Sequence, residues 1–216
     1  MIELIDVSKG FATERGFHQV LKQVNIRFDK GVNVGVVGRN GAGKSTLIGI
    51  LAGAIMPDTG TVNRQARISW PVGFGGGAHG ALTAEENCRF VARAYGEDVD
   101  RVVDFTREFA ELGDFFYLPV RTYSSGMRAR LNFALTMAYP FDFYLIDEGM
   151  ATGDARFKDK SEALFDSRRG QSAVIIVSHN LRTVRRYSDR VAVLVNGKLT
   201  MCDSVEEAQK LYWIES

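Results

Sequence analysis

Eight consecutive residues carry the clearest chemical signal in the sequence. Residues 38–45 read GRNGAGKS and match the pattern GxxxxGK[ST] in full. Glycines at these positions let successive backbone amides turn toward an anion, while Lys44 adds a positive charge and the Ser45 hydroxyl can bind Mg²⁺. The pattern therefore predicts a phosphate-binding loop that opens a helix. The residues predicted to bind the nucleotide are Gly38, Asn40, Gly41, Ala42, Gly43, Lys44, Ser45 and Thr46.

Two acidic residues follow an apolar segment further along the chain. The segment FYLI at 143–146 reads as a buried strand and leads directly into Asp147 and Glu148. Ligands of open α/β sheets bind at the carboxyl ends of the strands, so this pair is expected near the phosphates. Asp147 is placed to hold Mg²⁺ with Ser45, and Glu148 is placed to polarise an attacking water. The structural alternative is that the two acids simply end the strand.

Two further motifs contain groups that suit a phosphate. His179 follows the next buried strand at 173–177, so we expect it at the same sheet edge, in contact with a γ-phosphate. A structural histidine is the alternative. Ser124, Ser125 and Gly126 begin a helical segment whose free amides and hydroxyls suit an anion, although serine is also an ordinary N-cap. The predicted catalytic residues are Lys44, Glu148 and His179.

The elements that must position these residues alternate in type along the chain. The first thirty residues have strand-like alternation, and buried strands are predicted at 32–37, 143–146, 173–177 and 191–195. Helical periodicity dominates from about 83 to 138, with a capping box at Thr83 and Glu86 and a second helix over 99–112. The dipeptide Asn196-Gly197 predicts a tight hairpin. We therefore expect an α/β core interrupted by a helical lobe.

Composition narrows the possible functions. The 216 residues are 45% hydrophobic and 25% charged, which is typical of a globular protein with a sizeable core. The formal net charge of +1 gives no electrostatic reason to expect nucleic acid as a partner. Two cysteines outside any CxxC spacing do not indicate a disulfide scaffold or a zinc site. The most apolar stretch, at 47–55, is too short to span a membrane.

The order of these motifs resembles the ATP-binding subunit of ABC transporters. Residues 38–45 correspond to the Walker A motif, YSSGM at 123–127 to a variant signature, and Asp147 to the end of Walker B. ATGD at 151–154 occupies the D-loop position, and residues 178–179 occupy that of the H-loop. The segments ISWPVGFGGG at 68–77 and GDARFK at 153–158 are similar to the ATPases of capsular polysaccharide exporters of the KpsT type.

The resemblance implies a fold and an activity for the whole chain. It implies a single ABC-type ATPase domain over 1–216, with a P-loop NTPase (RecA-like) α/β core, an N-terminal antiparallel β subdomain and an inserted helical subdomain at about 83–138. ATP and Mg²⁺ are the implied cofactors. The family places an aromatic ring against adenine, and Phe11 fits that position, with Phe17 and His18 as alternatives.

The resemblance also implies partners. The ATPase would lie peripherally at the cytoplasmic face of the inner membrane and drive polysaccharide export through a separate membrane permease, with further envelope export proteins and no nucleic acid. ATP binding would form a homodimer, in which Ser124, Ser125 and Gly126 of one subunit complete the site of the other. Alternatives are export of another substrate, a soluble ABC ATPase without a transport role, and a P-loop kinase.

One departure from the family concerns the Q-loop, which usually supplies a metal-binding glutamine. Counting back from Glu86, that position falls at Gly73 or Phe74, and neither side chain can coordinate metal. His79 is the nearest polar candidate, although a solvated loop histidine is the simpler interpretation. We expect the loop around Phe74 to sense the permease through shape and apolar contact instead. The alternative is a hydrophobic hinge packed inside the subunit.

Overall fold

The computed structural model describes residues 1–14, 16–72, 78–147, 155–168, 170–179 and 181–214, which form two compact units. The first unit comprises Met1–Pro71, Phe141–Glu148 and Arg169–Ser216, within the described residues. The second comprises Val72–Pro140 and Gly149–Arg168, again within those residues. The chain therefore leaves the first unit and returns to it twice.

An antiparallel sheet of three strands begins the first unit. Its order is β2-β1-β4, with β1 at Ile2–Thr13, β2 at Gly16–Phe28 and β4 at Thr59–Arg64. The strand β1 pairs with β4 only as far as Ser8, which lies opposite Thr59, whereas its pairing with β2 continues to Thr13. Among the strands that the structure describes, the outer end of β1 therefore has a neighbour on one side only.

A sheet of five strands forms the rest of the first unit. Its order is β5-β6-β3-β7-β8, with β3 at Val34–Val37, β5 at Phe143–Asp147, β6 at Ala173–Ser178, β7 at Arg190–Val195 and β8 at Lys198–Cys202. The first four strands are parallel, and β8 is antiparallel to β7. Asn196 and Gly197 join β7 to β8 with φ angles of 51° and 82°, which confirms the predicted hairpin.

Three helices accompany this sheet in the first unit. They are α1 at Lys44–Ala52, α6 at Leu181–Tyr187 and α7 at Val205–Ile214. Leu47, Ile50 and Leu51 of α1 are fully buried in the core that the two sheets share. A side chain on Gly35 of β3 would overlap Val184 of α6, so this helix packs closely on the middle of the sheet.

The second unit is helical in the residues that the structure describes. It contains α2 at Ala84–Tyr95, α3 at Val99–Ala110, α4 at Ser125–Met137 and α5 at Ala155–Ser167, with 3-10 turns at Gly113–Tyr117 and Val120–Thr122. The predicted capping box is present, because Glu86 N donates to Thr83 Oγ1 at 3.1 Å and Thr83 N donates to Glu86 Oε2 at 2.9 Å. The α/β core with an antiparallel sheet and a helical insertion confirms the expected fold class.

A cluster of five phenylalanines joins three helices of the second unit. Neighbouring rings have centroids 5.4–5.8 Å apart. The members are Phe105 and Phe109 of α3, Phe133 of α4, and Phe157 and Phe165 of α5. The helix α5 is thereby held in the same unit as the lobe expected at about 83–138. Within the described ranges, no helix is long and apolar enough to cross a bilayer.

Candidate nucleotide-binding site

The phosphate loop connects β3 to α1. Gly41 and Gly43 have φ angles of 85° and 103°, which favour glycine, and a side chain on Gly38 would come 2.8 Å from the Leu194 carbonyl oxygen. Gly43 is the N-cap of α1 and supplies no side-chain cap, and the first turn contains no acidic residue. The first amides of α1 therefore lack a capping side chain, which makes this helix end a suitable binding site for an anion.

The Lys44 side chain bonds to the backbone of its own loop. Its Nζ donates to the carbonyl oxygens of Gly38 at 2.7 Å and Arg39 at 3.0 Å, and the residue is only 7% exposed. Burial lowers the pKa of the Lys44 ammonium, and the negative charge of Asp147 acts in the opposite direction. The ammonium thus lies beside the loop backbone, with a carboxylate as its electrostatic partner.

Asp147 and Ser45 form a small set of oxygen ligands. Burial raises the pKa of the Asp147 carboxyl, while the Lys44 charge and a hydrogen bond with the Ser45 side chain lower it. One carboxylate and one hydroxyl are hard ligands that fit Mg²⁺, which usually keeps several waters and binds substrate phosphates. The described residues contain no cluster of three or more His, Cys, Asp or Glu that could hold a metal.

Strand register brings a third residue to this edge. Val37 pairs with Ser178, and Asp147 pairs with Val177, so the carboxyl ends of β3, β5 and β6 are level. His179 follows β6 directly and is exposed. The phosphate loop, Asp147 and His179 therefore share one sheet edge, as the sequence predicts. Glu148 lies outside the described residues, as do the D-loop position at 151–154 and the glycine-rich stretch at 73–77.

The β1–β2 hairpin runs alongside the phosphate loop. Lys9 pairs with Leu21 but Gly10 pairs with Gln19, so Val20 is the extra residue of a bulge in β2. A side chain on Gly43 would overlap Val20, which places the bulge against the start of α1. Bulges occur often beside active sites, where they bend the strand and redirect its side chains. Here the bulge lies where the outer part of the hairpin begins.

Phe11 lies in that outer part of the hairpin. It pairs with His18 and is 42% exposed, and its ring centroid is 5.3 Å from Lys9 Nζ. Phe17 pairs with Ala12, and its ring occupies the space where a side chain on Gly10 would project. Because side chains alternate along a strand, Phe11 and Phe17 lie on opposite faces of the hairpin.

The sequence comparisons decide the family. The family model described as ABC transporter matches residues 21–151. The chain belongs to the ABC transporter ATP-binding family. It is 49% identical to the polysialic acid transport ATP-binding protein KpsT of Escherichia coli, over 91% of this chain and 90% of that protein. It is 45% identical to the capsule polysaccharide export ATP-binding protein CtrD of Neisseria meningitidis serogroup B, over 98% of each chain.

Solved structures support the same fold. The chain resembles a dimeric ATP-binding cassette in a post-hydrolysis state bound to ADP and phosphate, with a TM-score of 0.80 at 22% identity over 92% of this chain and 96% of that one. The protein is thus an ABC ATPase, with a P-loop NTPase core, an antiparallel β subdomain and a helical insert. Its enzymatic activity is ATP hydrolysis.

The ABC signature variant lies in the second unit. Ser124 is the N-cap of α4, and its Oγ accepts a hydrogen bond from Met127 N at 3.2 Å. Among the residues that the structure describes, a side chain on Gly126 would meet only the Ser124 hydroxyl, at 3.9 Å, so the backbone around Gly126 can be approached closely. Ser125 is the first residue of the helix. The Ser124 hydroxyl thus caps one amide of α4 as an ordinary N-cap does. The role of Ser124, Ser125 and Gly126 in binding an anion stays a prediction.

Asn87 is a residue of the ABC fold whose role the sequence analysis missed. It is 1% exposed, and its side chain accepts from His79 N at 2.6 Å and donates to His79 O at 3.1 Å and Thr83 O at 2.8 Å. The amide therefore fixes the turn that leads into α2. A polar residue on the apolar face of a capped helix was the available signal.

Proposed function

We propose that this ABC ATPase powers the export of a capsule-type polysaccharide through a separate membrane permease. The observation that carries the proposal is the extent of identity to the relatives named for polysialic acid transport and capsule polysaccharide export, which is 49% and 45% over 91% and 98% of the chain. The shared residues extend well beyond the nucleotide motifs, which are common to ABC ATPases of many substrates. The ATPase would lie peripherally at the cytoplasmic face of the membrane, bound to its permease.

Binding of ATP would begin at the phosphate loop. The backbone amides of residues 41–45 and the uncapped N-terminus of α1 would receive the phosphate oxygens. Lys44 would give up its hydrogen bonds to the carbonyl oxygens of Gly38 and Arg39 and donate to phosphate oxygens instead. The phosphates would bring a compensating negative charge into a site where burial disfavours the ammonium. Phe11 would stack on the adenine.

Hydrolysis would use the residues at the sheet edge. Ser45 and Asp147 would hold Mg²⁺, which when bound neutralises phosphate charge. Glu148 would polarise the attacking water, and His179 would contact the γ-phosphate at the level set by the register of β6. Phosphoryl transfer needs mainly positioning and charge stabilisation, and Lys44, Asp147, Glu148 and His179 would together supply both.

A homodimer would complete the site. Ser124, Ser125 and Gly126 of one subunit would meet the phosphates bound by the other, with the amides at the N-terminus of α4 as donors. The variant Ser124→Arg should therefore bind ATP as a monomer yet lose hydrolysis, because it places a bulky cation at the subunit interface. Mixing it with Lys44→Ala should restore one intact composite site. Confirmed heterodimers without any activity would contradict the shared site or show that one site is insufficient.

The proposed association with a permease is tested by purification from detergent-solubilised membranes. We expect a tagged chain to co-purify with a membrane permease, which should stimulate its ATP hydrolysis. Lys44→Ala should retain the permease and lose hydrolysis, whereas Lys210→Ala, an exposed lysine of α7, should keep both. Recovery of ribosomal or nucleic-acid components in place of a permease would contradict the proposal.

A further inference from the structure

Residues 9–13 form the outer arm of β1, which carries Phe11. This arm is held differently from the rest of the strand. Up to Ser8 the strand lies between β2 and β4, but beyond it, within the described ranges, only β2 pairs with residues 9–13. The bulge at Val20 lies opposite the junction of Lys9 and Gly10, where this arm begins. A two-stranded arm beyond a bulge needs a further restraint to keep a fixed direction, because hairpins are only marginally stable alone.

Asp58 supplies contacts on the open side of the arm. One carboxylate oxygen accepts from Lys9 Nζ at 2.6 Å, and the other accepts from Gly10 N at 2.7 Å. The Asp58 backbone amide also donates to Ser8 O at 2.9 Å, so the residue continues the β4 pairing with its side chain. The Lys9 side chain is only 17% exposed, and its Nζ lies 5.3 Å from the Phe11 ring centroid.

We propose that Asp58 is a positioning residue for the adenine base, because it fixes the arm that presents Phe11. This inference rests on the proposed role of Phe11 in stacking on adenine. The carboxylate holds the two residues that precede Phe11, and through Lys9 it also orients a cation against the aromatic ring. Without these bonds the arm would remain paired to β2 but would sample several directions, and each productive contact with the base would become less frequent.

The test compares a ligand that has a base with one that lacks it. Calorimetric titrations of the full chain would use ATP and inorganic tripolyphosphate, each with Mg²⁺. Stacking on an aromatic ring contributes enough that Phe11→Ala should weaken ATP binding by about tenfold or more. Asp58→Ala should weaken it by roughly three- to tenfold through partial loss of the same contact. Both variants should bind tripolyphosphate as the wild type does.

Asp142 provides a matched control. Its carboxylate also accepts from a lysine, Lys30 Nζ at 2.9 Å, and from a backbone amide, Arg67 N at 2.7 Å, and its own amide donates to Arg67 O at 2.8 Å. It lies at the end of β5 opposite to Asp147. Asp142→Ala therefore removes the same two kinds of carboxylate bond, keeps the backbone bond, and should leave the ratio of ATP to tripolyphosphate affinity unchanged.

Two further variants separate positioning from general stability. Asp58→Asn retains an acceptor for Gly10 N but loses the charge that holds Lys9, so its ATP affinity should lie between those of the wild type and Asp58→Ala. In a Phe11→Ala background, Asp58→Ala should have no further effect, because the ring on which it acts is gone.

Three results would overturn the inference, and they are distinguishable. If Phe11→Ala leaves ATP affinity unchanged, the proposed adenine contact is wrong and the inference fails with it. If Phe11→Ala weakens ATP binding but Asp58→Ala and Asp58→Asn do not, only the role of Asp58 is wrong. If Asp58→Ala weakens tripolyphosphate as much as ATP, the residue supports the fold and does not position the base.

Discussion

Gly43 is a position in the phosphate loop where both the backbone angle and the packing oppose an added methyl group. Its φ of 103° lies in the left-handed region, and a Cβ there would overlap Val20. The backbone conformation should cost alanine about 1–2 kcal/mol. Overpacking against Val20 should add roughly 1–3 kcal/mol. We therefore expect Gly43→Ala to lower the free energy of unfolding by about 3 kcal/mol, and Tm by about 6–12 °C for a chain of this size.

Gly41 is the matched control within the same loop. Its φ is 85°, but nothing in the described part of the chain lies within 4 Å of the position that a Cβ would take. Gly41→Ala should therefore carry only the backbone contribution of about 1–2 kcal/mol. Val20→Ala should remove the overlap, so the double variant with Gly43→Ala should be more stable than the sum of the single effects by about 1–3 kcal/mol.

Thermal unfolding, monitored by circular dichroism, measures the change in stability. Titration with ATP measures the change in nucleotide affinity. Gly43→Ala should also weaken ATP binding more than Gly41→Ala, because the displaced residue is the N-cap of α1. The reasoning would be refuted by equal destabilisation in the two single variants. Strict additivity of Gly43→Ala and Val20→Ala would refute the contact between the bulge and the loop.

Other predictions concern the general base Glu148, the thiols of Cys88 and Cys202, and the packing of the second unit. Glu148→Gln should bind ATP without turnover and accumulate as an ATP-bound dimer in size-exclusion chromatography; a monomer with wild-type hydrolysis would remove Glu148 from that role. Burial raises the pKa of Cys88 to about 12 and of Cys202 to about 11, so iodoacetamide at neutral pH should label neither until denaturant is added, as read by mass spectrometry. Phe133→Ala, which removes a ring between α3 and α5, should lower the free energy of unfolding by about 3–5 kcal/mol in denaturant titration, and a loss under 1 kcal/mol would contradict that packing.

The sheet edge could be predicted from the sequence because its determinants are local. The phosphate loop is a contiguous pattern whose glycines set their own backbone angles, as Gly41 and Gly43 do. Parallel buried strands end at the same edge of a sheet, so the sequence predicts Asp147 and His179 at the edge that carries the loop. The strand register places them there. The tight hairpin at Asn196 and the capping box of α2 are likewise short-range features.

The residues that the sequence analysis missed act through distant partners. Asp58 bonds to residues about fifty positions earlier in the chain, and nothing around it in the sequence indicates Lys9 or Gly10. The bulge at Val20 depends on the register of two strands, which alternation alone leaves open. The helix predicted over 99–112 ends at Ala110, because Glu111 turns to a φ of 50°.

The packing of α5 was also beyond local reasoning. Its phenylalanines at 157 and 165 are visible as an apolar pattern, but their neighbours are Phe109 and Phe133 of other helices. Lys160 of α5 adds a bond to the Phe109 carbonyl oxygen at 3.2 Å, at the end of α3. Contacts of this kind are set by tertiary packing, and helical periodicity shows only that some partner exists.

The central claim is that ATP hydrolysis by this chain moves a polysaccharide across the membrane. It is tested most directly by locating the polymer in cells whose chromosomal copy of the gene has been deleted and replaced by a plasmid-borne variant. Wild type and Lys210→Ala should place the polysaccharide on the cell surface, whereas Lys44→Ala, expressed at the same level, should leave it inside the cell. Unchanged surface polysaccharide with Lys44→Ala would contradict the account.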